Sequence, residues 1–174
     1  MAEESELLKI IGLKRDEKVV AEFGDYLPFK FDLTDGESCN CVYWRLGNFK
    51  SSLIEIGVDR KSGVVASFSL VIFDCFERGV PELSTSLRAE VGVPCFSVDC
   101  WHEEMLLDER AEVRVFYDSN KIMIAWADVD TTEWIVVSDC VEFGIGFSGR
   151  LCWVCVRGLP EESISGLSLL QSTK

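Results

Sequence analysis

The chain has 174 residues, of which 48% are hydrophobic and 11% aromatic, and 30 acidic against 17 basic side chains give it a formal net charge of −13. A chain of this length and composition can bury one core without a metal or disulfides, so we expect a single domain over residues 1–174. The negative charge argues against binding to nucleic acid or to an anionic membrane.

The first residues, MAEESELLKIIGLK, are acidic and contain no long apolar run. They therefore predict neither a signal peptide nor a membrane span, and we expect a cytoplasmic protein with reduced thiols. Residues 4–11 are expected to form a short helix that ends at Gly12. Strands are predicted next at 18–23, 28–33 and 41–46.

Alternation of apolar and polar residues is the main signal in the middle of the chain. Residues 52–73 are predicted to form a hairpin, because Ile54, Ile56 and Val58 share one face before the turn sequence DRKSG and the alternation resumes after it. Residues 77–94 show no clear period and are expected to form a long connection. A strand at 95–99 follows.

Two more hairpins are predicted in the second half, at 112–127 and 141–157, with a strand at 133–138 between them. Their turns fall at Asp118-Ser119-Asn120 and at Ser148-Gly149. A helix is expected at 161–171. The whole pattern predicts a mainly β protein in which antiparallel hairpins form a β-sandwich or a partly closed barrel, with one or two short helices.

No catalytic motif stands out. His102 is the only histidine, so a serine or cysteine nucleophile would have a single imidazole available as its base. The run FGIGFSG has the glycine spacing of a nucleotide-binding loop, but no helix follows it and strand alternation explains it better. We therefore expect a protein that is not an enzyme and that needs no cofactor.

The chain contains eight cysteines, all of which we expect to be reduced because no signal peptide is predicted. Cys152 and Cys155 lie three apart in a strand, face opposite sides and should not bond to each other. The alternative is a metal-thiolate site, although the usual zinc-knuckle spacing is missing. Its candidate ligands are Cys39, Cys41, Cys95, Cys100 and His102.

Acidic residues are concentrated between Asp99 and Glu142, where twelve Asp and Glu against three basic residues give a net charge of −9. Most of them fall in CWHEEMLLDERAE (100–112) and ADVDTTE (127–133). The first stretch is either a solvated connection, with a helical turn or two, or a docking surface. Tryptophans at the borders favour docking, because tryptophan is enriched in interface hot spots. The predicted partner-binding residues are Trp101, Glu103, Glu104, Asp108, Glu109, Asp128, Asp130, Glu133 and Trp134, with Asp108 and Asp130 expected at the centre.

The stretches VFYDSNKIMIAW and VEFGIGFSGRLCWVCVRGLPEE, within residues 115–162, are similar to a hairpin arrangement found in small bacterial proteins. A small, strongly acidic β protein without a catalytic motif also resembles the immunity proteins of bacterial toxin systems, including the contact-dependent inhibition and polymorphic-toxin families. The resemblance implies a protein that binds one cognate toxin domain, often a basic nuclease, and blocks its active site. A small β-barrel that binds an apolar ligand and a metal-thiolate protein remain the alternatives.

Overall fold

A computed structural model of the protein describes residues 8–15, 20–23, 29–34 and 39–171. Within these ranges the chain forms fifteen strands, two 3₁₀ turns and one α-helix. In chain order they are β1 (Ile10–Lys14), β2 (Val20–Phe23), β3 (Phe29–Thr34), β4 (Cys41–Gly47), β5 (Ser52–Asp59), β6 (Val65–Phe73), β7 (Phe76–Arg78), β8 (Arg88–Val91), β9 (Val93–Phe96), β10 (Leu106–Arg110), β11 (Arg114–Tyr117), β12 (Lys121–Ala125), η1 (Val129–Thr131), β13 (Thr132–Ser138), β14 (Val141–Gly146), η2 (Phe147–Gly149), β15 (Leu151–Arg157) and α1 (Glu161–Gln171).

The strands build two large sheets and one small one. The six-stranded sheet has the order β10-β4-β5-β6-β3-β2, and only its β10–β4 pair is parallel. The seven-stranded sheet has the order β7-β11-β12-β15-β14-β13-β8, with antiparallel pairs inside and a parallel pair at each edge. Strands β1 and β9 form the small antiparallel sheet. The three predicted hairpins are confirmed as β5–β6, β11–β12 and β14–β15.

The two large sheets share one hydrophobic core. Each contributes the alternate apolar residues of its strands, so that one face of each sheet is buried. The Trp44 ring on β4 meets the Trp126 ring, which follows β12, edge to face with centroids 5.7 Å apart. The predicted β-sandwich is thereby confirmed, and the described strands do not close into a barrel.

Residues 79–87, which we call the strap, join the two edges of the seven-stranded sheet. The strap crosses the outer face of that sheet, where Val80 and Leu83 pack on a second apolar cluster that includes Phe116 and Trp153. Six strand spacings of about 4.8 Å separate β7 from β8, which is about 29 Å. Ten residue steps can span at most about 36 Å, and a turn in which the Leu87 N–H bonds the Ser84 carbonyl at 3.2 Å shortens this reach, so the strap has little spare length.

Several predicted elements differ from the structure. The helix at 4–11 is wrong over residues 8–11, because Ile10–Lys14 pairs with β9 and this tertiary pairing overrides local helix propensity; residues 4–7 lie outside the described ranges. The connection at 77–94 contains β8 and parts of β7 and β9.

Other predictions agree more closely. The strand predicted at 95–99 is Val93–Phe96, and the strand at 18–23 is described from Val20 onward. The helical turns considered within 100–112 are replaced by strand β10, whereas the helix at 161–171 is confirmed as α1. No described helix is both long enough and apolar enough to cross a membrane.

Candidate functional site

The second acidic stretch forms a tight turn whose carboxylates face outward. The Asp128 side chain accepts a hydrogen bond from the backbone N–H of Asp130 at 3.0 Å and so caps η1. The Thr131 hydroxyl donates to the Asp128 carbonyl at 2.6 Å. These local bonds fix the backbone, and the side chains of Asp128, Asp130 and Glu133 remain exposed.

Asp128 and Asp130 line a groove that also contains Glu112, and we call it the acidic groove. It has a volume of about 560 Å³, and the apolar part of its lining includes Pro81, Phe116 and Trp126. Within the described part of the chain none of the three carboxylates makes an ion pair within 4.0 Å. Uncompensated negative charge is therefore concentrated beside apolar surface.

Arg114, the one cation among the described residues that line the acidic groove, is already neutralised. Its guanidinium donates two hydrogen bonds to Glu77, at 2.9 and 2.7 Å, and lies 4.7 Å from the centre of the Phe116 ring. The same bonds lower the pKa of the Glu77 carboxyl. Because Glu77 neutralises Arg114, the positive charge of Arg114 does not offset the carboxylates of the acidic groove.

Phe147 is an aromatic side chain in solvent beside this turn. It is 74% exposed and begins η2, directly after Gly146, which pairs with Thr132 at the start of β13. The η2 backbone is held by a bond from the Gly146 N–H to the Arg150 carbonyl at 2.9 Å. The hairpin therefore presents an apolar ring at the end of the β13–β14 pair where η1 also lies. The sequence predicted the turn here but not the exposed ring.

The first acidic stretch is placed differently. The exposed side chains of Glu103 and Glu104 precede β10, next to Arg60, which bonds the backbone carbonyl of Glu104 at 2.6 Å. Strand β10 runs from there towards Glu112, and its five residues alone span about 13 Å. Glu103 and Glu104 thus lie at the opposite end of β10 from the acidic groove. The predicted set of carboxylates is split into two groups.

Asp108 and Glu109 have partners within the protein. The Asp108 carboxylate accepts two hydrogen bonds from Arg45, at 2.7 and 2.8 Å. Glu109 accepts one from Trp44 Nε1 at 3.0 Å and lies 3.7 Å from the Arg150 guanidinium. Both carboxylates support the pairing of β10 with β4. The central role predicted for Asp108 therefore gains no support from its position.

The two tryptophans also differ from each other. Trp101 is 1% exposed, and its Nε1 donates to the Tyr43 carbonyl at 3.1 Å, so its predicted contact with a partner is wrong in this structure. The Trp101 ring is large and largely apolar, so its burial in the core is more favourable than its exposure to solvent. Trp134 is half-buried, with the Arg88 guanidinium 5.0 Å from its ring centre. It stays a predicted interface residue.

The cysteines correct a second prediction. Cys39 and Cys41 form a disulfide with their Cα atoms 5.4 Å apart, so not all eight thiols are reduced. The chain bends at Asn40, and this brings the sulfurs into the range a disulfide requires. The prediction of reduced thiols rested on the expected cytoplasmic location, which carries no information about this local geometry. Cys152 and Cys155 are free, as predicted.

The alternative metal site loses two of its ligands to this disulfide. Cys95 and Cys100 remain free thiols, and burial raises the pKa of each. His102 is exposed. Among the residues that the structure describes, no group of three or more His, Cys, Asp or Glu side chains is placed to hold a metal ion.

A second groove lies on the outer face of the six-stranded sheet, and we call it the disulfide groove. Its volume is about 530 Å³, and the Cys39–Cys41 disulfide forms part of its wall. Tyr43, Gly57 and Ser67 are paired across β4, β5 and β6, and a Cβ at Gly57 would lie 3.1 Å from the Tyr43 ring. The glycine therefore leaves room for the ring beside it. Sequence alternation marks these positions as solvent-facing but gives no sign of a groove.

Comparison with known proteins adds no relative: no protein-family model matches the chain, and no significant match is found among curated proteins.

Proposed function

We propose that the protein is an immunity-type inhibitor that acts in the bacterial cytoplasm and binds a basic toxin domain. The binding surface consists of the acidic groove, the neighbouring Glu133, and Phe147. The observation that carries the proposal is the acidic groove, whose three carboxylates make no ion pair within 4.0 Å among the described residues, together with the exposed Phe147 ring at the same end of the β13–β14 pair. Aromatic residues are enriched at interfaces, and acidic patches attract basic partners.

The charge arrangement suits a nuclease-like partner. Such enzymes present a cationic cleft to the phosphates of their substrate, so an acidic surface can enter the same field. Complementary charge raises association rates towards about 10⁸–10⁹ M⁻¹s⁻¹ at low salt. The charge of −9 between Asp99 and Glu142 contributes to this long-range attraction even where individual carboxylates are paired.

Phe147 and the carboxylates should have different roles. The carboxylates are solvated, so they act mainly on the encounter between the two proteins and weakly on the final complex. Phe147 loses its exposed apolar surface only after docking, so it should act on dissociation. The proposed surface therefore combines carboxylates that speed association with one apolar side chain that slows dissociation.

The test begins with a toxin domain encoded beside the gene. Co-expression should restore growth of cells that produce this domain, and the purified proteins should associate. Exchange of Asp130 and Glu133 for lysine, which leaves the Asp128 cap of η1 intact, should lower the association rate about tenfold at low salt and flatten its salt dependence. Phe147→Ala should instead raise the dissociation rate by about tenfold.

The matched control uses the other acidic group. Glu103→Lys with Glu104→Lys introduces the same charge change at the far end of β10, where both side chains are also exposed. Equal effects from the two double variants would mean that only the net charge matters. A larger effect from Glu103 and Glu104 would move the binding surface to that end.

A further inference from the structure

We propose that Cys39 and Cys41 form a thiol–disulfide exchange site whose substrate is a zwitterionic peptide thiol bound in the disulfide groove. The inference is independent of the inhibitor function proposed above, because the disulfide groove and the acidic groove lie on different sheets. Four observations support it: the position of the disulfide, its small contribution to the fold, the charges around it and the state of the other thiols.

The disulfide is accessible. Cys39 is exposed and Cys41 is half-buried at the first residue of β4. A thiolate can therefore approach Cys39 from the groove, whereas Cys41 is held by pairing with Asp59 on β5. Exposed disulfides are the labile ones in proteins, and exchange needs the attacking sulfur to reach one sulfur of the bond.

The bond links residues only two apart in the sequence. A loop of this size removes little conformational entropy from the unfolded chain, so the disulfide is not needed to hold the domain together. The shared core holds the β-sandwich, and β4 is already paired with β5 and β10. The disulfide can therefore open while the surrounding strands stay in place.

The groove carries charges of both signs. Lys14, Lys30 and Lys61 line it together with Asp32, Glu55 and Asp59. Lys30 and Asp32 lie 3.7 Å apart and so pair with each other, and Asp59 accepts hydrogen bonds from Ser62. Lys61 and Glu55 are the groups best placed to meet the carboxylate and the ammonium of a ligand. A volume of about 530 Å³ suits a molecule the size of a short peptide.

The free thiols elsewhere are poor competitors. Burial raises the pKa of Cys95, Cys100, Cys140, Cys152 and Cys155, which lowers the fraction present as reactive thiolate. Exchange should therefore be confined to the Cys39–Cys41 pair and to Cys75, which is an exposed free thiol.

The reaction balances with two thiols. One thiolate attacks Cys39 Sγ and forms a mixed disulfide, while the bond to Cys41 breaks and Cys41 Sγ leaves with the electron pair and takes a proton. A second thiolate attacks the ligand sulfur of the mixed disulfide, which releases the oxidised ligand disulfide and the Cys39 thiolate. Overall, one protein disulfide and two thiols give one protein dithiol and one ligand disulfide. The reverse direction reoxidises the pair.

The test uses the full chain with mixtures of reduced and oxidised glutathione, acid quenching, alkylation and peptide mass spectrometry. We expect Cys39 and Cys41 to convert between dithiol and disulfide as the mixture changes. In Cys41→Ser the resolving sulfur is gone, so a glutathione adduct should accumulate on Cys39. In Cys39→Ser adduct formation on Cys41 should be about tenfold slower, because Cys41 is less accessible.

Recognition by the groove is tested with an uncharged thiol. Lys61→Gln and Glu55→Gln should each slow exchange with glutathione about fivefold, the effect of one exposed ion pair, and leave exchange with 2-mercaptoethanol nearly unchanged. Lys50→Gln, an exposed lysine at the turn between β4 and β5, is the matched control. A pair that never changes state, or exchange rates that respond equally for both thiols, would overturn the proposal.

Discussion

Gly144 determines where the Trp153 side chain lies. The two residues are paired across β14 and β15, and a Cβ at position 144 would lie 1.9 Å from the Trp153 ring. The ring therefore crosses the glycine and reaches Thr132, whose hydroxyl accepts a hydrogen bond from Trp153 Nε1 at 2.8 Å. The sequence motif that resembles a nucleotide loop is thus explained by packing.

Gly144→Ala should lower the free energy of unfolding by about 3 kcal/mol, because the added methyl group displaces a buried ring and its hydrogen bond. Gly166→Ala is the control: position 166 has open space around it within α1, and alanine there should raise stability by about 0.5–1 kcal/mol. Urea denaturation of both variants measures the difference. Similar effects at the two sites would contradict the packing explanation.

Cys155 should make stability depend on pH in the alkaline range. Burial raises the pKa of its thiol from 9.0 to about 12. Between these values the unfolded chain releases the proton and the folded chain keeps it, so the contribution to stability is complete below pH 9 and is lost as pH rises to about 12. The loss should not exceed about 1.4 kcal/mol per pH unit.

The measurement is urea denaturation of the wild type and Cys155→Ala from about pH 8 to pH 10.5. Cys155→Ala should be less stable at the lower pH, because it leaves a cavity, but its stability should fall less steeply as pH rises. Parallel curves for the two proteins would show that Cys155 does not titrate as proposed.

At the scale of elements, Trp101 anchors the segment that leads into β10. It is fully buried, and its hydrogen bond to the Tyr43 carbonyl joins this segment to β4. Trp101→Ala should lower the free energy of unfolding by about 3–5 kcal/mol. Trp134→Ala, at a half-exposed ring, should cost about 1–2 kcal/mol, in proportion to the smaller apolar area it buries.

Chemical denaturation of these two variants distinguishes a core residue from a surface residue. If Trp101→Ala kept wild-type stability but bound a partner poorly, Trp101 would be an interface residue and not a core residue.

The elements that the sequence predicted well are those whose pairing is local. In the hairpin β5–β6 a period of two and a turn sequence lie within the same 22 residues, so local pattern is sufficient. β10 pairs with β4 across about 60 residues, and β1 pairs with β9 across about 80. Alternation does not reveal which distant strand is the partner, so the acidic stretch at 100–112 carried no visible strand signal.

In the candidate site as well, the sequence predicted what depends on local neighbours and missed what depends on pairing between distant strands. Asp128 and Asp130 were predicted correctly as exposed residues of a turn, because their neighbours in sequence determine it. Glu133 is exposed as well, but it belongs to strand β13 and not to the predicted loop. The pairing of Asp108 with Arg45 depends on the β10–β4 contact, and the position of Phe147 beside η1 depends on the β13–β14 register. Neither is contained in a local stretch of sequence.

For the whole molecule, a net charge of −13 means that like charges repel in the folded state. The ion pairs Arg45–Asp108 and Arg114–Glu77 are exposed and stabilise little, so screening should remove more repulsion than attraction. We expect the urea midpoint to rise when sodium chloride is increased from about 10 to 200 mM. The double variant Asp128→Asn with Asp130→Asn should respond less.

A midpoint that falls with added salt would mean that ion pairs outweigh the repulsion. The same experiment in a non-ionic osmolyte separates screening from general effects of the solute on the exposed surface.

The strap gives the seven-stranded sheet a fixed allowance of chain length. Deletion of one residue between Glu82 and Ser86 leaves at most about 32 Å of chain for a span of about 29 Å, so it uses up the slack that the Ser84–Leu87 turn requires. β7 or β8 should then be destabilised, whereas insertion of two glycines should cost little. Because detachment of one edge strand relieves the tension on the other, the backbone amides of only one of the two strands should exchange with deuterium faster in the deletion variant.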